Sequence, residues 1–434
     1  MKKALFWHRR DLRFHDNSGL YRALKENDTV QAVFIFDKNI LDKLHSNDQR
    51  VLFIHNTLSE LKKVYQKSGA DLKVVYGNPV NEIPKLAKEF NVQSVHTNRD
   101  YEPYAQERDK EVFELLKAEN IDFIGSKDHV IFEKSEVVKP DGLPYTIYTP
   151  YSRKWKEKMN EFYLSSYPNE KYSHNLNQSA TSKLISLKEM GFENNEIHPI
   201  PKMNYESKFM SKYSEARNFP AIEHGTSHLG LHLRFGTVSI RELARQATET
   251  NETFLNELIW RDFYQTILFH FPHSVNGSFK KQYDAIEWRN NETEFKAWCE
   301  GKTGYPLVDA GMRELNATGY MHNRVRMVVA SFLTKHLLID WKWGETYFAE
   351  KLLDFDLASN IGGWQWASGS GCDAAPYFRV FNPTAQLEKF DKQTVYVKKW
   401  VPEYGTSAYP EPIVEHKMAR ERVLSTYKSA LNKA

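Results

Sequence analysis

Between residues 3 and 126, short apolar runs alternate with longer stretches whose apolar positions recur every three or four residues. "KALFWH", "VQAVFIFD", "LKVVYG", "VQSVHTN" and "IDFIGS" are rich in β-branched and aromatic residues and each ends in turn or polar residues, which predicts strands. "NTLSELKKVYQKSG" and "AQERDKEVFELLKAEN" lie between them and carry the helix period. Strands alternating with helices predict a parallel sheet covered on both faces, because each parallel crossover lays a helix on the sheet. The expected first domain, residues 1–128, is a doubly wound α/β domain. It contains no G-x-G-x-x-G or phosphate-loop pattern, so it is not an evident dinucleotide-binding or nucleotide-hydrolysing module.

From 129 to 205 the periodicity weakens. "GLPYTIYTPYSRKW" and the Asn- and Ser-rich "SHNLNQSATSK" read as a long connector running partly over the surface. Residues 206–434 return to the helix period and keep it, as in "FLNELIWRDFYQTILFHF" and "NRVRMVVASFLTKHLLIDW", giving a mostly α-helical second domain. One stretch of that domain stands apart. "SNIGGWQWASGSGCDAAPYFRVFNP", residues 359–383, sets Trp364 and Trp366 among Gly362, Gly363, Gly369 and Gly371, which are expected to break a helix or a strand. Two indoles there suit either core packing or a flat ligand.

Composition sharpens this only in places. Aromatic residues make up 14% of the 434, including 10 Trp, which suits a protein that stacks on planar ligands or one with large helical cores. The two cysteines, Cys299 and Cys372, argue for a reducing compartment and against a disulfide framework or a cysteine-ligated zinc. A formal net charge of +3 neither demands nor excludes nucleic acid. No apolar run approaches membrane-spanning length, and the opening "MKKALFWHRRDLRFHD" carries charge where a signal peptide would be apolar. The expectation is a cytoplasmic enzyme with no targeting or transmembrane segment.

Candidate chemistry gathers in the helical domain. "NELIWRDFY" puts Glu257, Trp260, Arg261 and Tyr264 on one helix face, suited to a pocket wall or to a solvent-facing ion pair with Trp at its rim. In "GYMHNRVRMVV", Asn323, Arg326 and Met327 share a face and Arg324 points elsewhere. "LLDFDLASN" offers Asp354, Asp356 and Asn360 without a His or Glu cluster at metal-ligand spacing, so hydroxyl or amine acceptors are expected rather than a metal site. "EHGTSHLGLHLRFGTVS" places Thr226 and Ser227 at an expected helix start, suited to phosphate oxygens or to capping alone. Together these features describe a deep site for a phosphate-bearing planar cofactor.

"ELIWRDFY", "GKTGYPLVDAGMRELNATGYMHNRVRM", "DLASNIGGWQWASGSGCDAAPYFRVFNP" and the opening "WHRRDLRFHDN" resemble the photolyase/cryptochrome family. The resemblance runs through nearly all of the helical domain and into the first. It is weakest between about 135 and 205. "MHNRVRM" is similar to the form in class I cyclobutane pyrimidine dimer photolyases, since six-four enzymes usually carry His where this chain has Asn323 and Met327. Asn360 stands where many signalling cryptochromes have Asp or Cys, and the chain has no long tail after its last motif.

The resemblance implies FAD bent into a U. Tyr213, Thr226, Ser227 and Leu229 would lie on its phosphate side, with Arg261 and Asn323 against it. Arg326 and Asp354 would pair near the isoalloxazine, Asp356 would accept from a ring N–H, and Asn360 would face N5. Glu257 would bond the base edge of a flipped dimer held between Trp260, Trp366 and Met327. Trp288, Trp341 and Trp364 would form an electron chain from surface to flavin, so that Trp364 serves the flavin and Trp366 the lesion. Arg324 and Lys389, with Lys398 and Lys399, are candidates for a DNA-holding rim. "TNRDYEPYAQERD" is similar to the antenna region, with Glu107 where folate-binding members use one, although "HSVNGSF" lacks their usual companions. His96 and Asn98 are ordinary polar residues or antenna contacts.

The implied activity is light-driven splitting of pyrimidine dimers in UV-damaged DNA. FAD is the cofactor, with an antenna that is methenyltetrahydrofolate, a deazaflavin or absent. A monomer associated with the nucleoid through DNA is expected. The alternatives are a cryptochrome-type photoreceptor or single-strand-preferring relative, and a helical flavoprotein that moves electrons without DNA.

Overall fold

The computed structural model describes residues 1–194 and 199–433. Residues 195–198, which belong to the expected connector, lie outside the described residues. The chain divides into two compact units. The first comprises Met1–Glu133, Met159–Pro199 and Gly230–Gln246, and the second Lys134–Lys158, Ile200–Leu229 and Ala247–Ala434.

The first unit is the anticipated parallel sheet. Its strands are β1 (Lys3–His8), β2 (Thr29–Asp37), β3 (Leu72–Gly77), β4 (Ser94–Asn98) and β5 (Asp122–Ser126), in the order β3-β2-β1-β4-β5. Helices α1 (Ser18–Glu26), α2 (Gln49–Lys67), α3 (Pro79–Glu89) and α4 (Pro103–Ala118) form the crossovers. The strands read as unbroken apolar runs because both faces are buried. Ala4, Phe6, Ala32, Phe34 and Phe36 enter one core, while Leu5, Trp7, Val33 and Ile35 enter the other.

A buried ionic cluster joins segment 230–246 to this sheet. Arg13 Nη2 donates to both Asp128 carboxylate oxygens at 2.8 and 2.9 Å. Arg241 donates to Asp128 Oδ1 at 2.9 Å and, through Nε, to Asp16 Oδ1 at 2.9 Å. Ser18 N–H adds a further bond to Asp128 at 3.0 Å. Burial would raise the Asp128 pKa, but the two guanidinium groups hold its carboxyl well below the ordinary range.

The second unit is helical. At its centre meet α5 (Tyr148–Lys158), α6 (Glu252–His270), α7 (Asn323–Ser331), α8 (Trp341–Lys351) and α9 (Leu357–Ser368). The core on the α7, α8 and α9 side holds Trp298, Trp341 and Trp364, with Trp288 and Trp366 packed at its margin. Among the described residues no helix is long and apolar enough to cross a membrane.

The glycine-rich segment departs from expectation. Trp364 and Trp366 lie in the regular helix α9, which Asp356 caps by accepting from Ser359 N–H at 3.1 Å. A glycine inside a helix costs about 1 kcal/mol relative to Ala, and here close packing offsets that cost. A Cβ on Gly362 would fall 2.3 Å from the Tyr264 ring, so only glycine lets α9 approach α6 this closely. Gly369 does end the helix, in the left-handed region at φ +92°.

Replacing Asp128 with Asn should leave two buried guanidinium groups undercompensated. The expected loss is about 3–5 kcal/mol, read as a lower denaturant midpoint. Because the folded carboxyl titrates below the ordinary value, its contribution is complete above about pH 4 and declines as pH falls further. The difference between wild type and Asp128→Asn should therefore shrink on acidification.

Candidate active site

Helix α9 organises the site by its period. Asp356, Ser359, Asn360, Gly363 and Trp366 fall on one face at steps of about 100° per residue, and all five line one cavity of about 450 Å³. Trp364 sits on the flank of that face, 2% exposed, and reaches the cavity with its edge. Its indole packs toward α8, where a Cβ on Gly344 would lie 2.1 Å from it.

Helix α6 supplies the opposite wall. Glu257, Trp260, Arg261 and Tyr264 all line the cavity, so the anticipated face is a pocket wall rather than a solvated one. Glu257 also carries an ion pair, with Arg217 as partner. Burial raises the Glu257 pKa, and Arg217 opposes the rise. Arg217 was missed by the sequence reading, since "SEARNF" carries no motif or period that singles it out.

The first turn of α7 points into the cavity end-on and contributes Asn323, Arg324, Arg326 and Met327. Arg324 therefore belongs with its neighbours and does not point elsewhere, because at a helix terminus successive residues fan around a single opening. Its Nη2 donates to Asn218 Oδ1 at 2.7 Å, and its guanidinium lies 4.4 Å above the Phe390 ring. Burial lowers its pKa, and the positive charges of Arg217 and Arg379 lower it further. Burial, with the positive charges of Arg326 and Arg324 added, pushes His322 down to about 4. A neutral His322 can then cap α7 by accepting from Arg324 N–H at 3.1 Å. A site that disfavours added positive charge this strongly suits an anion.

Arg326 and Asp354 pair at 2.9 and 3.1 Å, and Arg326 Nε donates to Met321 O at 2.7 Å. Burial alone would lower the Arg326 pKa, but Asp354 raises it. Asp356 accepts from Gln265 Nε2 at 3.1 and 3.2 Å in addition to its cap. Asn360 Nδ2 donates to Glu345 Oε1 at 2.9 Å and to Glu345 O at 3.1 Å, which turns its amide oxygen away from Glu345.

Other expected residues lie outside the cavity lining. Thr226 and Ser227 are not at a helix start. His228 has φ +52°, which interrupts helical backbone, and the short helix there begins only at Gly230. Thr226 Oγ1 lies 3.2 Å from the Tyr320 hydroxyl, and Arg326 lies 5.6 Å from that ring's centroid, so this loop is one residue removed from the cavity. Tyr213 packs edge-on against Phe254 of α6 at 5.0 Å, and Leu229 is buried. Lys389, Lys398 and Lys399 are exposed.

Of the tryptophans, Trp341 is buried in the same core as Trp364, and Trp288 is half-buried at the core margin beside Tyr427. Trp298, which the sequence reading did not single out, meets Trp364 edge-to-face at 6.1 Å. In the first unit Glu107 is exposed on α4, and His96 and Asn98 are buried in β4. Asn98 is fully used in bonds to Asp11, Asn17 and Gly19.

The FAD-binding domain of DNA photolyase matches residues 254–407, and DNA photolyase matches residues 4–170. A deoxyribodipyrimidine photo-lyase from Synechococcus sp. is 36% identical, over 98% of this chain and 96% of the relative. The chain belongs to the DNA photolyase family. Two solved photolyases share its fold. A bacterial class III photolyase from Agrobacterium tumefaciens superposes with a TM-score of 0.86 at 32% identity, covering 100% of this chain and 98% of the other. An archaeal photolyase from Sulfolobus tokodaii, solved with two FAD molecules, gives 0.85 at 34% identity, covering 98% and 100%.

The cavity fits the flavin that a photolyase family member binds. Trp364 and Arg324 line it, and Trp364 Nε1 and Arg324 Nε are buried without protein partners. Gly363 faces it with no atom within 4 Å of where a Cβ would stand. The arginines and Asn323 can meet phosphate and carbonyl oxygens, and Asp354 and Asp356 can accept from N–H or hydroxyl groups.

Replacing Gly363 with Leu should fill that open space without disturbing the packed flanks of α9. The expected result is a flavin-free protein that melts no earlier than flavin-free wild type. Its FAD affinity should fall at least about tenfold, which is about 1.4 kcal/mol, as measured by visible absorbance during titration.

Proposed function

We propose that this protein splits cyclobutane pyrimidine dimers in UV-damaged DNA under light, with FAD held by Arg261, Asn323, Arg326, Asp354, Asp356 and Asn360. Tyr213, Thr226, Ser227 and Leu229 lie toward the cofactor's phosphate side, behind Tyr320 and Phe254. The observation that carries the reading is one cavity lined by cofactor-type polar groups and, at the same time, by two aromatic walls, Trp260 and Trp366, with an acidic group and arginines between. A flavoprotein that only moved electrons would have no use for those walls.

Reduced FAD, when bound, would supply on excitation the single electron that starts ring opening and would take it back once the bases part, so that the splitting is redox-neutral overall. The remaining work falls to the chain. Two crosslinked bases cannot be reached inside a duplex and must be extruded, at a cost of a few kcal/mol that a badly stacked lesion reduces. Stacking on aromatic side chains returns about 1–3 kcal/mol per base, so Trp260 and Trp366 together balance the extrusion of a lesion. They do not balance that of a well-stacked normal pair. Met327 fills the third side with an adaptable apolar surface.

Glu257 is placed to bond a base edge. Its raised pKa favours the protonated, donating form once Arg217 is drawn to a DNA phosphate. Arg324, with Arg217, meets the phosphates that flank the extruded bases. Trp288, Trp341 and Trp364 run from the surface margin to the cavity edge and relay electrons inward. The reading leaves the antenna position at Glu107 as a surface site on α4.

The test uses the reduced, FAD-loaded protein and a duplex carrying one thymine dimer. Dimer content should fall under blue light and stay constant in darkness. Trp366→Ala should lose about tenfold or more in dimer affinity, the loss of one stacked base. Glu257→Ala should bind the dimer but split it less per absorbed photon. Trp364→Phe should repair normally when reduced chemically and fail to be reduced by light from the oxidised state. Unchanged dimer content in light, with wild-type flavin bound, would overturn the proposal.

A further inference from the structure

The connector region contributes an aromatic that has no assigned role. Tyr148, the first residue of α5, lies flat on the Trp260 indole with ring centroids 3.7 Å apart and planes 3° from parallel. Its hydroxyl donates to Asn256 O on α6 at 2.9 Å. Its backbone N–H, unpaired within α5 because it is the first, donates to Asp373 Oδ2 at 3.0 Å. Asp373 stands five residues beyond the end of α9, the helix that carries Trp366. One residue therefore touches the indole of one wall and the chain that continues from the other.

The geometry points to Tyr148 as the positioning residue that sets the plane of Trp260 for a planar ligand in the cavity. This rests on the dimer-binding reading above. Trp260 lines the cavity and Tyr148 does not, so the phenol ring backs the indole without competing for the ligand. Three constraints converge on it. The hydroxyl is tied to α6 one turn before Trp260, the ring is held edge-on by Phe263 at 6.0 Å, and the backbone is tied to Asp373. α5 is itself fixed to α6 by Trp155, whose Nε1 donates to Asp262 Oδ2 at 3.0 Å.

A half-buried indole with one open face would otherwise sample several orientations and lose that freedom each time a base stacked on it. With Tyr148 beneath it, the indole is already aligned, and the ordering cost is met on folding rather than on binding. The ring is the active element of this device. The hydroxyl and backbone bonds only place it.

The experiment compares the full-length FAD-loaded protein with Tyr148→Leu, Tyr148→Met and Tyr148→Phe. Each is titrated in darkness with a duplex bearing one thymine dimer and with the same duplex undamaged, then assayed for repair in light at limiting and saturating DNA. Leu and Met should weaken dimer binding by about two- to tenfold, the range of one aromatic pair, with no change toward undamaged DNA. The loss should appear in the DNA concentration giving half-maximal repair and not in the rate at saturation. Phe should stay within about twofold of wild type because it keeps the ring. Met fills the ring's volume without an aromatic face, so a folded variant is at hand even where Leu leaves too large a hole.

The inference is overturned if Leu or Met discriminates dimer from undamaged DNA as wild type does. It is also overturned if both duplexes are weakened alike, or if Phe is as damaging as Leu. A wild-type protein that bound both duplexes equally would overturn the dimer-binding reading itself. That result is visible before any variant is made.

Discussion

The site depends on how closely α9 can approach its neighbours. On one flank Gly362 lies against the Tyr264 ring of α6, and on the other Trp364 lies against Gly344 of α8. Neither contact has room for a Cβ. The two approaches clamp the helix rotationally, and the face between them, from Asp356 to Trp366, opens on the cavity. Every cofactor or base contact assigned to α9 follows from that rotation. The aromatic and acidic wall of α6 stands at the right distance for the same reason.

The two units put buried charge to different uses. In the first, Arg13, Arg241, Asp16 and Asp128 close on one another and on backbone groups, so the cluster is a joint. In the second, Arg326 with Asp354 and Arg217 with Glu257 pair around an open cavity, where Arg324 keeps a buried Nε with no protein partner, as Arg13 does inside the first cluster. Unmet hydrogen-bonding capacity in low dielectric costs stability, and at the cavity a ligand can complete it.

Periodicity carried the architecture and much of the site. The five strands, the crossover helices α2 and α4 and the face Glu257–Trp260–Arg261–Tyr264 follow from spacing alone, because spacing reports which side of an element a residue occupies. It cannot report what that side meets. The glycines of α9 therefore read as breakers, when Gly362 marks a close helix contact and Gly363 a cavity wall. Arg217 and Tyr148 escaped notice because each is defined by a partner far along the chain, Glu257 and Trp260 respectively. Thr226 and Ser227 were placed at a helix start because a capping signal does not reveal that His228 turns the backbone out of helical conformation. The family resemblance supplied roles for these positions that their own neighbourhoods do not spell out.

The opposed directions of Trp364 and Trp366 have a consequence for how this segment can change over generations. Two residues apart on a helix, they face directions about 160° apart, and both are referenced to the cap at Asp356. One inserted or deleted codon between the cap and Trp364 would turn everything beyond it by about 100°. That would drive Trp364 off Gly344 and swing Trp366 out of the cavity. Substitutions can be tried singly here, but length cannot. The nine residues between Asp356 and Trp366 form a ruler, and the sequence is free to vary only in what is written on it.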